Sequence, residues 1–184
     1  DLIYGLPVTL VVNRRNLGYA GAVNAGATEA RGRWLVPCNS DVLPQRAGWL
    51  SALRRSLLPG IGAAGPLLLF PDDTIQHAGL YYDRGVDGQW LNRHFLKGLP
   101  RGTAGSAQPR EVPGITGACL ILATETFRKL EGFSTDFVIG DYEDSDLCLR
   151  LREMGQRLWY APDAVLYHLE RHSIQQHAGY QRGL

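Results

Sequence analysis

The sequence predicts an α/β fold in which helices flank a central sheet. Short apolar runs of strand length alternate with longer helical runs through the first part of the chain, and this alternation is typical of α/β sheets. Glycine, asparagine and proline separate the runs, as expected for turns. A chain of 184 residues with 45% hydrophobic and 20% charged residues has the size and composition of one globular domain with its own core.

Three buried strands and two helices are predicted in the first part of the chain. The strands cover residues 8–12, 34–38 and 66–70, and the helices cover residues 19–30 and 49–58. The strand runs are apolar throughout, which is typical of strands covered on both faces. Asn16 is expected to cap the first helix, because its side-chain oxygen can accept a hydrogen bond from a free backbone N–H group.

The second part of the chain begins with an irregular segment, residues 71–113, which predicts a hairpin and a long loop. Further strands are predicted at residues 117–122, 158–160 and 165–167, and further helices at residues 125–130 and from the acidic stretch to residue 155. Thr124 is expected to cap the shorter helix. A turn at residues 161–163 is expected to separate the last two strands.

A cluster of acids at the start of the longer helix is the strongest candidate for chemistry. Four acids occupy the six positions from 141 to 146: Asp141, Glu143, Asp144 and Asp146. Such a cluster repels itself unless it binds a cation or exchanges a proton. The cluster therefore indicates either a functional site or a solvated, salt-paired start of a helix.

Helical phase distinguishes these acids from one another. The apolar residues of the helix that share one face are Leu147, Cys148, Leu151 and Met154. Asp144 falls on the same face, Glu143 lies at its edge, and Asp146 points elsewhere, one turn before Arg150. Asp144 is therefore a candidate general base, whereas Asp146 is expected to form an ion pair with Arg150.

Two further polar residues follow predicted strands. Asp41, in the run Asn39-Ser40-Asp41, comes after a strand, and ligands of open α/β sheets bind at the carboxyl ends of strands. His168 comes at the end of the last strand, and a neutral imidazole is a good ligand for a divalent cation. For both residues a structural role, as turn former or buried histidine, stays open.

The segment from Asn16 to Asn24 begins a helix rich in alanine and glycine. Small residues at a helix start let backbone N–H groups approach an anion closely, but they also allow close packing of the helix on a sheet. The glycine fingerprints of dinucleotide and P-loop sites are absent from the sequence. An ordinary dinucleotide-dependent oxidoreductase is therefore disfavoured.

Net charge, cysteine content and the length of apolar runs limit the expected binding partners and the expected cellular compartment. A net charge of +1 gives no electrostatic reason to expect nucleic-acid binding. The three cysteines, Cys38, Cys119 and Cys148, are flanked by apolar residues and are expected to be buried thiols of a reducing compartment. No apolar run approaches the roughly 20 residues that span a bilayer. The expected location is cytoplasmic, with peripheral association at the inner face of the membrane left open.

Taken in order, several stretches of the chain resemble family 2 glycosyltransferases of the GT-A fold, especially the rhamnosyltransferase-like branch. They are NLGYAGAVNAG at residues 16–26, NSDVLP at 39–44, QHAG at 76–79, GITGACL at 114–120, GF at 132–133, YEDSDLCLR at 142–150, YAP at 160–162 and YH at 167–168. Each stretch is weak alone, but together they cover nearly the whole chain in the right order. The resemblance implies a GT-A-like (Rossmann-like) mixed sheet flanked by helices.

The resemblance also implies an activity: inverting, metal-dependent transfer of a sugar from a UDP-, dTDP- or GDP-linked donor to a glycan acceptor hydroxyl. Asp144 resembles the base of the family, with Glu143 beside it. Asp41 and His168 resemble the ligands of Mg²⁺ or Mn²⁺. The implied substrate contacts are Asn16, Gly18 and Asn24 on the nucleotide side of the cleft, together with Asn39, Gly117 and Ala118.

Two departures from the family pattern leave an alternative open. The run Asn39-Ser40-Asp41 holds one acid, and nothing in the chain matches the family's first strand–helix–strand unit, which grips the nucleotide. We therefore expect residues 1–184 to be a single GT-A-like domain that is incomplete at its N-terminus. The alternative is a non-catalytic module that binds a carbohydrate or a protein partner. The oligomeric state stays open.

Overall fold

The computed structural model describes residues 7–137 and 142–169. The helices are α1 (Gly18–Glu29), α2 (Trp49–Arg55), α3 (Thr124–Lys129) and α4 (Glu143–Glu153). The strands are β1 (Trp34–Leu35), β2 (Val42–Pro44), β3 (Ile61–Leu69), β4 (Ile75–His77), β5 (Leu80–Arg84), β6 (Trp90–His94), β7 (Arg110–Glu111), β8 (Ile121–Ala123) and β9 (Arg157–His168).

A mixed sheet of seven strands forms the centre of the fold. Its main order is β1-β8-β3-β9-β2, with β4 paired to β3 and β7 paired to β9. The central pair, β3 and β9, is parallel, whereas the other pairs are antiparallel. Strands β5 and β6 form a separate hairpin. The predicted mixed α/β fold is therefore confirmed.

Helices cover both faces of the sheet because the side chains of its central strands alternate between two cores. Ala63, Leu67 and Leu69 of β3 belong to the core that includes Leu147 and Leu151 of α4, together with residues of α1 and α3. The intervening residues of β3, such as Leu68, belong to the core of α2. Since successive residues of a strand point to opposite faces, a strand buried on both sides must be apolar throughout, as β3 is.

Helix α4 follows the phase that the sequence predicts. Leu147, Cys148 and Leu151 are buried, while Met154 is more exposed than predicted. Asp146 Oδ2 lies 2.6 Å from Arg150 Nη2, so the predicted ion pair is confirmed. Arg150 also donates to the carbonyl oxygens of Leu130 and Gly132, which ties the helix to the turn after α3.

The predicted strand at residues 8–12 is wrong. Residues 7–13 form no strand, and Val8, Leu10 and Val12 are exposed. An apolar run becomes a strand only where another strand pairs with it. No described strand pairs with this segment, so its composition misled the prediction.

Several predicted boundaries also differ from the structure. The predicted strands 34–38 and 117–122 shrink to β1 and β8, and an isolated bridge joins Cys38 to Cys119. The two predicted final strands form a single strand, β9, whose pairing shifts register where Pro66 and Leu67 of β3 face it. Cys38 is exposed, contrary to prediction. Thr124 does not cap α3 and instead donates to Gly32 O.

Among the residues that the structure describes, no helix has the length and apolar character needed to cross a bilayer.

Candidate active site

Asp144 lies in the first turn of α4, with 9% of its surface exposed. Its Oδ2 atom accepts a hydrogen bond from Gly117 N at 2.8 Å, and its Oδ1 atom accepts one from Ser145 N at 2.6 Å. Ser145 Oγ lies 3.3 Å from the same Oδ1 atom and donates to it. Both carboxylate oxygens are thus held by donors that fix the orientation of the side chain.

Burial raises the pKa of Asp144 to about 6, and the charge of neighbouring Glu143 acts in the same direction. The hydrogen bonds from Gly117 and Ser145 favour the charged form and limit the rise. A carboxylate of this kind is mostly ionised at neutral pH and is more basic than an ordinary aspartate. Its pKa therefore suits a general base.

Glu143 lies beside Asp144 at the start of α4 and is also buried. Its Oε2 atom accepts a hydrogen bond from Tyr142 N at 3.1 Å. Two adjacent acids at a helix N-terminus are stabilised by the positive end of the helix dipole. The fourth acid of the predicted cluster, Asp141, lies outside the described residues.

Tyr19 connects α1 to this acidic pair. Its hydroxyl donates a hydrogen bond to the carbonyl oxygen of Gly117, and the N–H group of Gly117 donates to Asp144. A Cβ atom at Gly117 would lie 3.1 Å from Tyr19 Cε1 and 3.4 Å from Asp144 Cβ. Glycine at this position therefore allows Tyr19 and Asp144 to pack against the same peptide.

Asp41 and His168 meet at the end of the sheet where β2 pairs with β9. Asp41 Oδ1 lies 3.3 Å from His168 Nε2, and Leu169 N donates to Asp41 O at 3.1 Å. The two side chains are 17% and 12% exposed, so both are shielded but reachable. The structure thus brings together the two residues that the sequence proposes as metal ligands.

The ring of His168 is oriented by Gln76. His168 Nδ1 lies 2.7 Å from Gln76 Oε1, an acceptor, so the proton of a neutral ring belongs on Nδ1. The Nε2 lone pair then points toward Asp41 Oδ1. A lone pair and a carboxylate oxygen at 3.3 Å repel each other unless a proton or a cation lies between them.

The geometry of Asp41 and His168 fits a shared divalent cation. Neighbouring ligand atoms around an octahedral ion with bonds of about 2.1 Å are about 3 Å apart, close to the observed 3.3 Å. Asn39 Nδ2 lies 3.4 Å from His168 Nε2, and Asn39 Oδ1, on the other side of the same amide, is a buried oxygen without a hydrogen-bond partner among the described residues. A half-turn of the amide about its Cβ–Cγ bond would present this oxygen to the same ion as a further ligand.

The described side chains would not complete a cation site by themselves. Across residues 7–137 and 142–169, no group of three or more histidine, cysteine or acidic side chains could hold a metal ion. Two ligands from the protein leave open positions for water or for the oxygens of a phosphate. Magnesium sites of substrate phosphates have this composition.

Gly117 and Ala118 join the two halves of the site. Gly117 contacts Asp144 through its N–H group, and the carbonyl of the next residue, Ala118, accepts a hydrogen bond from Asn39 N at 2.9 Å. Asn39 in turn contacts His168. The acidic pair and the Asp41–His168 pair are therefore connected through a short series of contacts that runs over Gly117, Ala118 and Asn39.

The predicted contacts on α1 occupy different environments. Asn16 Oδ1 accepts a hydrogen bond from Gly18 N at 2.9 Å, so Asn16 does satisfy a backbone donor at the helix start. Both residues are exposed, and Gly18 has a positive φ of 69°. Asn24 instead holds both the N–H and the carbonyl group of Phe133 with its amide. Substrate binding by these three residues stays a prediction.

Three residues of the site were not singled out from the sequence: Tyr19, Gln76 and Ser145. Tyr19 and Gln76 lie inside stretches that carry the family resemblance, and Ser145 follows Asp144 directly. A signal for each was therefore present. The contacts of Tyr19 with Gly117 and of Gln76 with His168 join segments far apart in the chain, which a single sequence does not reveal.

The chain belongs to glycosyltransferase family 2, because the family model described as "Glycosyl transferase family 2" matches residues 2–130. The predicted family is therefore confirmed.

Two bacterial relatives match most of this chain but are far longer. An O-antigen biosynthesis protein, RfbC, from Myxococcus xanthus is 33% identical over 158 residues, which are 83% of this chain and 12% of RfbC. The uncharacterized protein y4gI of Sinorhizobium fredii is 31% identical over 166 residues, which are 89% of this chain and 18% of y4gI. The chain thus spans less than a fifth of either relative.

Two solved structures share the fold. GalNAc-T7, determined with UDP, GalNAc and Mn²⁺, superposes with a TM-score of 0.69 at 19% identity and covers 94% of this chain and 33% of its own. The mannosyltransferase PcManGT from Pyrobaculum calidifontis, in complex with GDP-Man and Mn²⁺, gives a TM-score of 0.59 at 20% identity, covering 90% of this chain and 40% of its own. At these identities the likeness establishes the GT-A fold.

Proposed function

We propose that this chain carries the catalytic site of an inverting glycosyltransferase, which moves a sugar from a nucleotide-sugar donor to a hydroxyl group of a glycan acceptor. The observation that carries the proposal is the position of Asp144, buried with a raised pKa beside Gly117, in one region with Asp41 and His168. Membership of the family supports the same reaction.

Asp144 is the residue that accepts a proton in this proposal. An acceptor hydroxyl is a poor nucleophile until a carboxylate removes its proton. The activated oxygen attacks the anomeric carbon from the face opposite the leaving nucleoside diphosphate, and the configuration at that carbon inverts. The donors from Gly117 and Ser145 keep the carboxylate in one orientation throughout.

Asp41 and His168 are the proposed ligands of Mg²⁺ or Mn²⁺, with Asn39 Oδ1 as a further candidate. A cation bound there would offset the negative charge on the departing diphosphate. Gln76 holds the His168 ring in the orientation that presents Nε2 to the cation, a second-shell arrangement common for histidine ligands. The Mn²⁺ complexes of both structural neighbours are consistent with this assignment.

Nucleoside diphosphate release tests the proposal. The full-length protein as encoded, incubated with Mn²⁺ and a panel of UDP-, dTDP- and GDP-linked sugars, is expected to release nucleoside diphosphate from one of them, and EDTA is expected to stop the release. The resemblance to the rhamnosyltransferase-like branch makes dTDP-rhamnose the first donor to try. No release from any donor, together with metal-independent oligosaccharide binding by calorimetry, would instead favour the non-catalytic module.

The hairpin of β5 and β6 is the proposed acceptor side of the site. Asn92 of β6 donates to Ser145 Oγ at 3.2 Å, directly beside Asp144. Trp90 lies on the same face of the hairpin, because residues two apart along a strand share a face. Trp90 is 60% exposed, and the Arg84 guanidinium lies 4.7 Å from the centroid of its ring. An exposed indole with polar neighbours suits stacking against a sugar.

Replacing Trp90 by alanine is expected to raise the KM for the acceptor while leaving the KM for the donor unchanged. A tryptophan at the centre of a contact contributes roughly 2 kcal/mol, or about thirtyfold in affinity. Steady-state kinetics with separately varied donor and acceptor measures both constants. Val86→Ala, at a fully exposed position in the turn of the same hairpin, is the control. An unchanged acceptor KM in Trp90→Ala would contradict the proposal.

A further inference from the structure

Two cysteines face each other beside the candidate cation site. Cys38 and Cys119 form an isolated antiparallel bridge. Hydrogen bonds flank the bridge on both sides, from Asn39 N to Ala118 O at 2.9 Å and from Leu120 N to Pro37 O at 3.3 Å. The two cysteines exchange no backbone hydrogen bonds themselves in this pattern, so they form a non-hydrogen-bonded pair, the closer of the two antiparallel pair types.

This type of pair is suited to a disulfide. Cα atoms of a non-hydrogen-bonded pair are about 4.5 Å apart, and disulfides span Cα separations of about 4.4–6.8 Å. Side chains directly opposite each other point to the same face of the sheet. Each thiol acts on the pKa of the other: the Cys119 side chain lowers the pKa of Cys38, and the Cys38 side chain raises that of Cys119.

The two cysteines differ in exposure, which sets the order in which a dissolved reagent meets them. Cys38 is exposed, whereas Cys119 is buried. A reagent in solution therefore reaches Cys38 first, and Cys119 lies behind it. The third cysteine, Cys148, is buried in a different core and contacts Ile115 instead.

We propose that Cys38 and Cys119 form a reversible disulfide when the protein meets a low-molecular-weight disulfide such as oxidised glutathione. The Cys38 sulfur attacks one glutathione sulfur, the glutathione S–S bond breaks, and one glutathione thiolate leaves. The Cys119 sulfur then attacks the Cys38 sulfur and releases the second glutathione. Two protein thiols are oxidised, one glutathione disulfide is reduced, and the two protons pass to the departing thiolates.

The disulfide affects the candidate cation site through Asn39, and this part of the inference rests on the proposed function. Cβ atoms of a non-hydrogen-bonded pair are about 4.5 Å apart, at the wide end of the range of about 3.5–4.5 Å found in disulfides, whose mean is about 3.8 Å. Closing the bond to the mean separation draws Cys38 toward Cys119, together with the following residue, Asn39, and the loop to Asp41. Oxidation is expected to weaken Mn²⁺ binding by about tenfold, the effect typical of a disturbed ligand shell.

Peptide mapping under non-reducing conditions tests the thiol pair. The full-length protein is treated with oxidised glutathione, digested and analysed by mass spectrometry, with and without dithiothreitol. We expect a peptide pair linked through Cys38 and Cys119 that dithiothreitol separates. Cys148→Ser, the matched control, is expected to form the same link, and Cys38→Ser is expected to form none.

Other products overturn the inference. Unchanged thiols, a persistent Cys38–glutathione adduct or a link between two protein molecules would each show that Cys119 does not resolve the reaction. Mn²⁺ titration of the oxidised and reduced forms tests the second part separately. A confirmed link with unchanged Mn²⁺ affinity would refute the connection to the cation site. Absence of Mn²⁺ binding by the reduced protein would contradict the proposed cation site and leave the mapping result intact.

Discussion

Replacing Asp144 by asparagine is expected to lower the rate of sugar transfer by about 10²–10⁴-fold, the usual contribution of a general base. Asparagine has nearly the same shape, but its amide cannot take up the acceptor proton. Its single oxygen also cannot accept from both Gly117 N and Ser145 N, which the two carboxylate oxygens do. The measurement is the transfer rate at saturating donor and acceptor.

Asp146→Asn is the matched control for this substitution. It makes the same chemical change two residues further along α4, where the side chain pairs with Arg150 at a partly exposed position. Loss of such a pair costs roughly 0–1 kcal/mol of stability, so transfer should stay within a few fold of the wild type. Equal rates for Asp144→Asn and Asp146→Asn would refute the role of Asp144, provided that both variants have the melting temperature of the wild type.

The pH dependence of transfer provides a second test of Asp144. Its pKa is raised to about 6 in the folded protein, and the base works only when it is deprotonated. The rate should therefore be constant above pH 7 and fall tenfold per pH unit well below pH 6. The residual activity of Asp144→Asn should lack this decline. If wild type and Asp144→Asn showed the same fall in rate at low pH, the titrating group would be a residue other than Asp144.

Replacing Asp41 by asparagine is expected to weaken Mn²⁺ binding by at least about 10–100-fold. Loss of a residue that only supports a metal ligand already costs about this much, and Asp41 is proposed to be a ligand itself. The change removes the charged ligand and leaves His168 without the carboxylate that lies 3.3 Å away. Titration of the protein with Mn²⁺, followed by the electron paramagnetic resonance signal of the free ion, measures the affinity. Transfer should fall together with it.

Asp73→Asn controls for the removed charge. Asp73 accepts a hydrogen bond from the hydroxyl of Tyr167, the neighbour of His168. Its positive φ of 63° is tolerated by asparagine. Mn²⁺ affinity should change little in this variant. If Asp73→Asn weakened Mn²⁺ binding as strongly as Asp41→Asn does, the loss would reflect a general effect of the removed charge. Asp41 would then not be a specific ligand.

Local periodicity was sufficient to predict the start of α4. The spacing of Leu147, Cys148 and Leu151 fixed which face of the helix is buried, and Asp144 shares that face in the structure. The ion pair of Asp146 with Arg150 is equally local. Both follow from helix geometry within one or two turns, which sequence alone determines.

Long-range pairing was not accessible in this way. Asp41 meets His168 only because β2 pairs with the far end of β9, and Gln76 and Tyr19 reach the site from other parts of the chain. The resemblance supplied Asp41 and His168 as candidates, but not the hydrogen bond that orients the ring. The strand predicted at residues 8–12 was wrong because local composition indicated a strand where no described strand pairs with the segment. An apolar run without a pairing partner stays exposed.

In the proposed enzyme, a base at Asp144 works beside a cation held between Asp41 and His168. Anomalous diffraction from crystals of the full-length protein, grown with Mn²⁺ and the nucleoside diphosphate of its donor, locates the cation directly. We expect one Mn²⁺ peak bonded to Asp41 and His168 Nε2, with the diphosphate on its open side. A Mn²⁺ peak that contacts neither residue, with the nucleotide bound elsewhere, would contradict it.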